Sequence, residues 1–232
     1  MKRAFILAAG LGTRMRPLTL YTPKPLLLAK NKPLIEYHLE KCAEAGITEV
    51  MINISHLAPQ IEKALGNGER WQLKIHYSKE EMPLETAGGI AKALAFFENE
   101  PFLCMNADIW TDYPLQKIMA QSKKLPQDFS AYLVMVANPA HHLQGDFSIS
   151  STDNKTLQVV RPKAEKNFTF SGLSILNPTL FTGLNEEAGK LAPYLIQAMA
   201  DNKVYGEIYN GHWFDVGTVE RLNQLDAFLR QS

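Results

Sequence analysis

FILAAGLGTRMRPLTLYTPKPL, residues Phe5 to Leu26, joins a short apolar run to a glycine-containing loop and then to a series of cations. The run from Phe5 to Ala9 has the length of a buried strand. Gly10-Leu11-Gly12-Thr13 follows at once, where missing side chains let backbone N–H groups approach an anion. Every charge before Glu36 is positive: Lys2, Arg3, Arg14, Arg16, Lys24, Lys30 and Lys32. The pattern reads as a site for a polyphosphate, while a solvated basic edge beside a glycine turn would have the same composition. A dinucleotide fingerprint needs a third glycine where Met15 stands, and no Gly-Lys-Ser/Thr follows to make a mononucleotide loop. In Pro23-Lys24-Pro25 the first proline fixes its own φ and the second biases Lys24 toward an extended backbone, so this lysine is expected to be aimed.

Outward from this stretch, the 232 residues carry 24 basic and 24 acidic side chains, so an acidic remainder balances the positive start. A general nucleic-acid binder would show a dominant basic face; the expected partners are small molecules. Hydrophobic residues make up 46% of the chain, enough for one large core. A single domain over residues 1–232 is expected, monomeric or weakly oligomeric. No run approaches the roughly 20 apolar residues of a membrane span, and the apolar start is too brief for a secretion signal. Cys42 and Cys104 sit in apolar contexts and read as buried free thiols, which suits a cytoplasmic location.

Ile35, Leu39 and Cys42 recur at helical spacing and predict a helix over Pro33 to Ala45, with Gly46 as its stop. A strand at Glu49 to Ile54, a short helix to Leu65 and a strand over 73–77 follow. Thr86 is placed as the cap of a helix running through IAKALAFF, and Phe102 to Met105 as the next strand. Repeated strand and helix imply an α/β protein with a Rossmann-like, mostly parallel sheet flanked by helices. From Phe129 the pattern changes to FSAYLVMVA, DFSIS, TLQVV and FTFSGLSIL. These read as a small β-rich insertion forming a second pocket wall, with a hairpin turn at Asp153-Asn154. A helix from Glu186 to Asp201, a strand from Val204 to Tyr209 and a helix from Thr218 to Leu229 complete the chain. Ligands of open parallel sheets lie beyond the carboxyl ends of the strands, which brings Asp108 and the glycine loop to one edge. Asp108 and Asp215 are separated carboxylates able to hold a Mg²⁺ that bridges phosphates, while Asp215 reads equally as a cap of the last helix.

LAAGLGTRMRPLT followed by TPKPL resembles the signature of the sugar-1-phosphate nucleotidyltransferases, and HWFDVGT resembles their second metal motif. The resemblance spans essentially the whole chain. It implies the nucleotide-diphospho-sugar transferase fold, and a reaction that joins a nucleoside triphosphate to a sugar 1-phosphate and releases pyrophosphate. Residue by residue it implies that Gly10, Leu11, Gly12 and Thr13 hold the β and γ phosphates. Arg14 would neutralise the departing pyrophosphate, and Lys24 would lie between the α phosphate and the sugar phosphate. Asp108 and Asp215 would bind Mg²⁺, with Ala107 standing where the family usually has glycine. Base contacts map to Leu7 and Ala8 and to the segment from Glu80 to Gly88, where Glu80 or Glu85 could accept the N3–H of a uracil. Sugar contacts map to Asn106, Gly145, Asp146, Ser171 and Gly172. Arg16 reads as readily as a surface residue, and Asp112 as a helix cap before Pro114 or a water-mediated metal contact.

Val160-Arg161-Pro162 departs from the Glu-Lys-Pro of many relatives, so the usual sugar clamp is altered. PLIEYHL, PLETAGGIAKAL, DIWTDY, NPAHHLQGDF, KLAPYLIQAMA and GHWFDVGTVERL resemble the branch that transfers UMP from UTP to N-acetylmuramate α-1-phosphate in peptidoglycan recycling. Guanylyl transfer to mannose 1-phosphate and thymidylyl transfer to glucose 1-phosphate are the alternatives; from another class, the chain could be a nucleotide-binding regulator without turnover. The lactyl carboxylate of muramate calls for a cation or N–H donors, and His141, His142, Arg161 and Lys163 lie in the segments expected to meet it. Adjacent residues on an extended chain point to opposite sides, which favours loop or substrate contact over a metal at His141-His142.

Overall fold

A computed structural model describes residues 1–151, 158–162, 166–184 and 189–231. Its strands are β1 (Arg3–Leu7), β2 (Leu28–Ala29), β3 (Lys32–Pro33), β4 (Glu49–Ile54), β5 (Lys74–Lys79), β6 (Phe102–Asn106), β7 (Ile109–Thr111), β8 (Ala131–Val136), β9 (Ser148–Ser151), β10 (Gln158–Arg161), β11 (Thr169–Leu176), β12 (Val204–Tyr209) and β13 (Trp213–Asp215). Its helices are α1 (Leu18–Tyr21), α2 (Leu34–Glu44), α3 (Ala58–Leu65), α4 (Glu85–Ala93), α5 (Leu115–Ser122), α6 (Ala192–Ala200) and α7 (Val219–Gln231).

Nine strands form one sheet in the order β5-β4-β1-β6-β11-β8-β12-β10-β9. β5, β4, β1 and β6 are parallel, as are β8 and β12, while β11 runs against both β6 and β8. Side chains alternate across a strand, and β1 shows the consequence. Ile6 faces a core with Ile35, Leu39 and Ile52, whereas Phe5 faces the opposite core with Ile90, Phe97 and Leu133. Each such side chain, fully removed from water, contributes about 1.5–3 kcal/mol, so the strand is held from both faces. The strand-rich stretch from 129 joins this sheet, with β8 and β11 at its middle and β9 and β10 at its edge. β8 is buried at all of its positions, which requires cover on both faces.

A third cluster packs Met15 against Leu34, Val216, Leu222, Leu225 and Leu229, and so fastens the glycine loop to α7. Beside it β7 and β13 form a two-stranded ribbon in which Asp215 lies opposite Ile109.

Gly46, at φ 77°, follows the end of α2, and the Thr218 hydroxyl accepts the Arg221 N–H at 3.3 Å at the start of α7. Cys42 and Cys104 are buried and free. Other expectations are corrected. Lys24 is not extended; it opens a 3-10 turn closed by Leu26 N–H to Pro23 O at 2.8 Å and Leu27 N–H to Lys24 O at 3.1 Å, bonds that offset the steric bias of Pro25. Thr86 does not cap α4, because Glu80 takes the Leu84 N–H and the Gly189 carbonyl takes the Ala87 N–H, each at 2.8 Å. Asp112 does not cap α5 either; it accepts from the Tyr209 hydroxyl at 2.6 Å and the His212 N–H at 2.8 Å, and so holds the loop before β13. α6 begins at Ala192, with Pro193 in its first turn, rather than at Glu186. Residues 185–188 and the expected turn at Asp153-Asn154 lie outside the described residues. No helix among the described residues is long and apolar enough to cross a membrane.

Candidate active site

The carboxyl ends of β1 and β6 open onto a cleft of about 400 Å³. Leu7, Ala8, Gly10, Gly12, Thr13, Arg14, Lys24, Glu85, Asn106 and Asp108 all line it, so most of the residues singled out in the sequence converge here. Among the described residues the backbone N–H groups of residues 9–14 have no acceptor within the protein. A run of free amides on a tight loop is the arrangement that binds phosphate oxygens. Gly12 holds the loop shape: it is left-handed at φ 61°, its carbonyl accepts from the Thr19 hydroxyl at 2.8 Å, and an added Cβ would lie 2.9 Å from Thr19 Cγ2. Leu11 has an exposed side chain and does not line the cleft.

One wall is braced by groups the sequence did not single out for this task. The Ala8 N–H donates to Asn53 Oδ1 at 2.7 Å, and Asn53 Nδ2 donates to Glu80 Oε1 at 2.7 Å. Glu80 is only 5% exposed and its other oxygen holds Leu84, so it fixes the wall instead of facing a base. Of the two glutamates considered, Glu85 is the one in the cleft. Gly88 is buried within α4 and away from the lining. At its neighbour Gly89 an added Cβ would meet Asn53 and Glu80 at 2.8 Å, so α4 packs directly on this pair.

At the floor, Lys24 Nζ lies 2.5 Å from Asp108 Oδ2, with the lysine side chain 10% exposed. Asp215 Oδ2 is 2.6 Å from Arg221 Nη1 and 3.2 Å from His141 Nε2. The Val216 N–H bonds the Asp108 carbonyl at 2.8 Å, and a connected lobe of about 350 Å³ is lined by both aspartates, Arg14, His141 and His142. An added Cβ at Gly217 would reach both Arg221 Nη2 and Arg14 Nη2, so two guanidinium groups flank the second aspartate motif. Arg221 escaped the sequence reading; the one signal was a cation a single turn inside a helix that begins just after Asp215. Among the described residues no group of three or more His, Cys, Asp or Glu is placed to hold a metal. Two carboxylates beside a phosphate cradle nevertheless fit Mg²⁺, which uses one or two carboxylates and completes its shell with phosphate oxygens and water.

A further lobe of about 250 Å³ shares Leu7, Thr86 and Asn106 with the main cleft. Asp146 and Gly172 line it; Asp146 is held by the Phe170 N–H at 2.8 Å and by His142 at 3.0 Å. Gly172 is left-handed at φ 80° beside a β11 bulge, and an added Cβ would lie 2.7 Å from Asn106 Nδ2. Ser171 is buried and lines the aspartate lobe. Gly145, at φ 57°, is pressed against Asn138 and the Phe168 carbonyl and lines none of these spaces. His141 and His142 diverge to different carboxylates, though from a turn closed by the His142 N–H to the Pro139 carbonyl at 2.8 Å rather than from the extended chain expected. Arg161 turns to the Met199 carbonyl at 3.2 Å, and Lys163 lies outside the described residues.

A family model described as nucleotidyl transferase matches residues 3–232. The N-acetylmuramate alpha-1-phosphate uridylyltransferase of Neisseria meningitidis serogroup B is 46% identical over 231 residues, 97% of each chain. The mannose-1-phosphate guanylyltransferase catalytic subunit beta of Drosophila pseudoobscura pseudoobscura is 30% identical over 93% of this chain but only 59% of its own. A solved UDP-glucose pyrophosphorylase complexed with UDP-glucose superposes with a TM-score of 0.80 over 100% of both chains at 21% identity, a likeness of fold.

Proposed function

The chain belongs to the nucleotidyl transferase family and is a sugar-1-phosphate nucleotidyltransferase; from that premise we propose that it transfers UMP from UTP to N-acetylmuramate α-1-phosphate, in cytoplasmic peptidoglycan recycling. The observation that carries the phosphate half is the run of free amides at residues 9–14, which opens toward Lys24, Asp108 and Arg14 in one cleft. Identity of 46% over 97% of each chain with a uridylyltransferase supports the choice of base and sugar.

The amides of Gly10 to Thr13 hold the β and γ phosphates. A sugar-phosphate oxygen attacks the α phosphorus, a new P–O bond forms, and the bond to the β-phosphate oxygen breaks. Arg14 stands beside the departing pyrophosphate and stabilises its charge. Lys24, held at the floor by Asp108, is positioned to bring the two reacting phosphates together against their mutual repulsion. Asp108 and Asp215 are the residues that would hold Mg²⁺, which would supply further neutralisation of phosphate charge. Glu85 is the acidic group available to a uracil N3–H, since Glu80 is engaged with Asn53 and Leu84. Asn106 and Gly172 bound the sugar side.

Pyrophosphate release measured across UTP, GTP and dTTP with the 1-phosphates of N-acetylmuramate, mannose and glucose tests this directly. The highest kcat/KM is expected for UTP with the muramate compound. A preference for GTP with mannose 1-phosphate, or for dTTP with glucose 1-phosphate, would overturn the specificity; binding of all pairs with no pyrophosphate released would overturn the activity.

A further inference from the structure

We propose that Lys190 is a specificity residue that reads the acidic substituent of the sugar, an inference that rests on the substrate reading above. The 250 Å³ lobe beside Asn106 has a largely apolar wall made by Phe147, Phe170, Leu191 and Leu195. A carboxylate carried into such a space loses water and needs a charged donor in return. Among the described residues, Lys190 is the cation that lines this lobe. It is exposed at the lip and, among the described residues, makes no hydrogen bond or ion pair.

Among the described residues, the other basic groups nearby are already engaged. His142 is held by Asp146 at 3.0 Å, His141 by Asp215 at 3.2 Å, and Arg161 by the Met199 carbonyl at 3.2 Å. Asp146 itself is occupied by His142 and the Phe170 N–H, so it does not neutralise Lys190. A lysine with a flexible stem at the edge of an apolar chamber can follow a carboxylate that projects from the ring. A sugar lacking that group leaves the ammonium in water, where it costs little. Selectivity here therefore arises from a gained contact rather than from exclusion of the neutral sugar.

The test is the ratio of kcat/KM for N-acetylmuramate 1-phosphate over N-acetylglucosamine 1-phosphate, both with UTP, in wild type, Lys190→Gln and Lys190→Arg. Because both substrates are assayed on one preparation, partial misfolding cancels. Loss of one charge-assisted contact is expected to lower the ratio by about tenfold to a hundredfold in Lys190→Gln, with Lys190→Arg retaining most of it. If Lys190→Gln does not turn over, equilibrium binding of the two sugar phosphates reads the same ratio. A wild-type preference for muramate that survives Lys190→Gln overturns the role of Lys190 and leaves the substrate reading intact. A wild type that does not prefer muramate overturns the substrate reading itself.

Discussion

At Gly10 an added Cβ would meet nothing within 4 Å, whereas at Gly12 it would strike Thr19 on a backbone already at φ 61°. The first glycine leaves room that the fold does not use, and the second keeps the turn. Gly10→Ala should therefore shift unfolding free energy by no more than about 1 kcal/mol while raising KM for the triphosphate. Gly12→Ala should cost about 1–2 kcal/mol, because the left-handed backbone penalises a Cβ. Denaturant titration beside steady-state kinetics separates the two, and equal destabilisation would contradict the distinction. Arg14→Ala and Lys24→Ala should each lower kcat by about 10²–10³, as removal of a positioned donor to developing charge does. Arg16 is exposed and outside the cleft lining, so Arg16→Ala losing as much would reassign the cations. The sequence displayed these residues because they are contiguous with the glycine loop. Asn53 and Arg221 were not legible as site residues, since neither lies in the glycine loop and each is known by its partners in the folded chain, Ala8 and Glu80 for Asn53 and Asp215 for Arg221.

β4 and α4 meet through the Asn53–Glu80 pair, and that junction sets the position of Ala8. Glu80→Ala would strand the buried Asn53 amide and the Leu84 N–H, at about 1–3 kcal/mol for each group left unsatisfied. A midpoint in urea unchanged from wild type would show that the pair does not hold the junction. α2 presents His38 to the inner end of the ribbon, where burial pushes its pKa from 6.5 down to about 4. The unfolded chain takes up this proton below 6.5 while the folded chain does not, so the contribution is full above 6.5 and is lost as pH falls toward 4. The loss amounts to roughly 3 kcal/mol, and His38→Leu should flatten the fall of Tm over that window; an unchanged slope would contradict it. Strand periodicity and the stop at Gly46 made most elements readable. The cap assignment for Thr86 failed because Glu80, only four residues before Leu84, and the distant Gly189 carbonyl take the first amides of α4, and that for Asp112 because Tyr209 and His212 engage its carboxylate.

The parallel half of the sheet was legible because β1, β4 and β6 alternate with helices along the chain, whereas the placement of β11 between β6 and β8 depends on long-range pairing that no local pattern encodes. That placement matters for the proposed function: β11 carries Gly172 to Asn106, and the β7–β13 ribbon carries Asp215 to Asp108, so the regions proposed to take phosphate, metal and sugar share one edge. If the whole molecule works as this convergence indicates, turnover requires a divalent cation and both aspartates. The decisive measurement supplies UTP labelled at the α phosphorus together with N-acetylmuramate 1-phosphate, and follows label and pyrophosphate in wild type, Asp108→Asn and Asp215→Asn, with Mg²⁺ or chelator. Label should enter a UDP-sugar in equal amount with pyrophosphate released, and should stop with chelator or with either replacement. Label recovered as free UMP, or transfer that persists in chelator and in both variants, would contradict it.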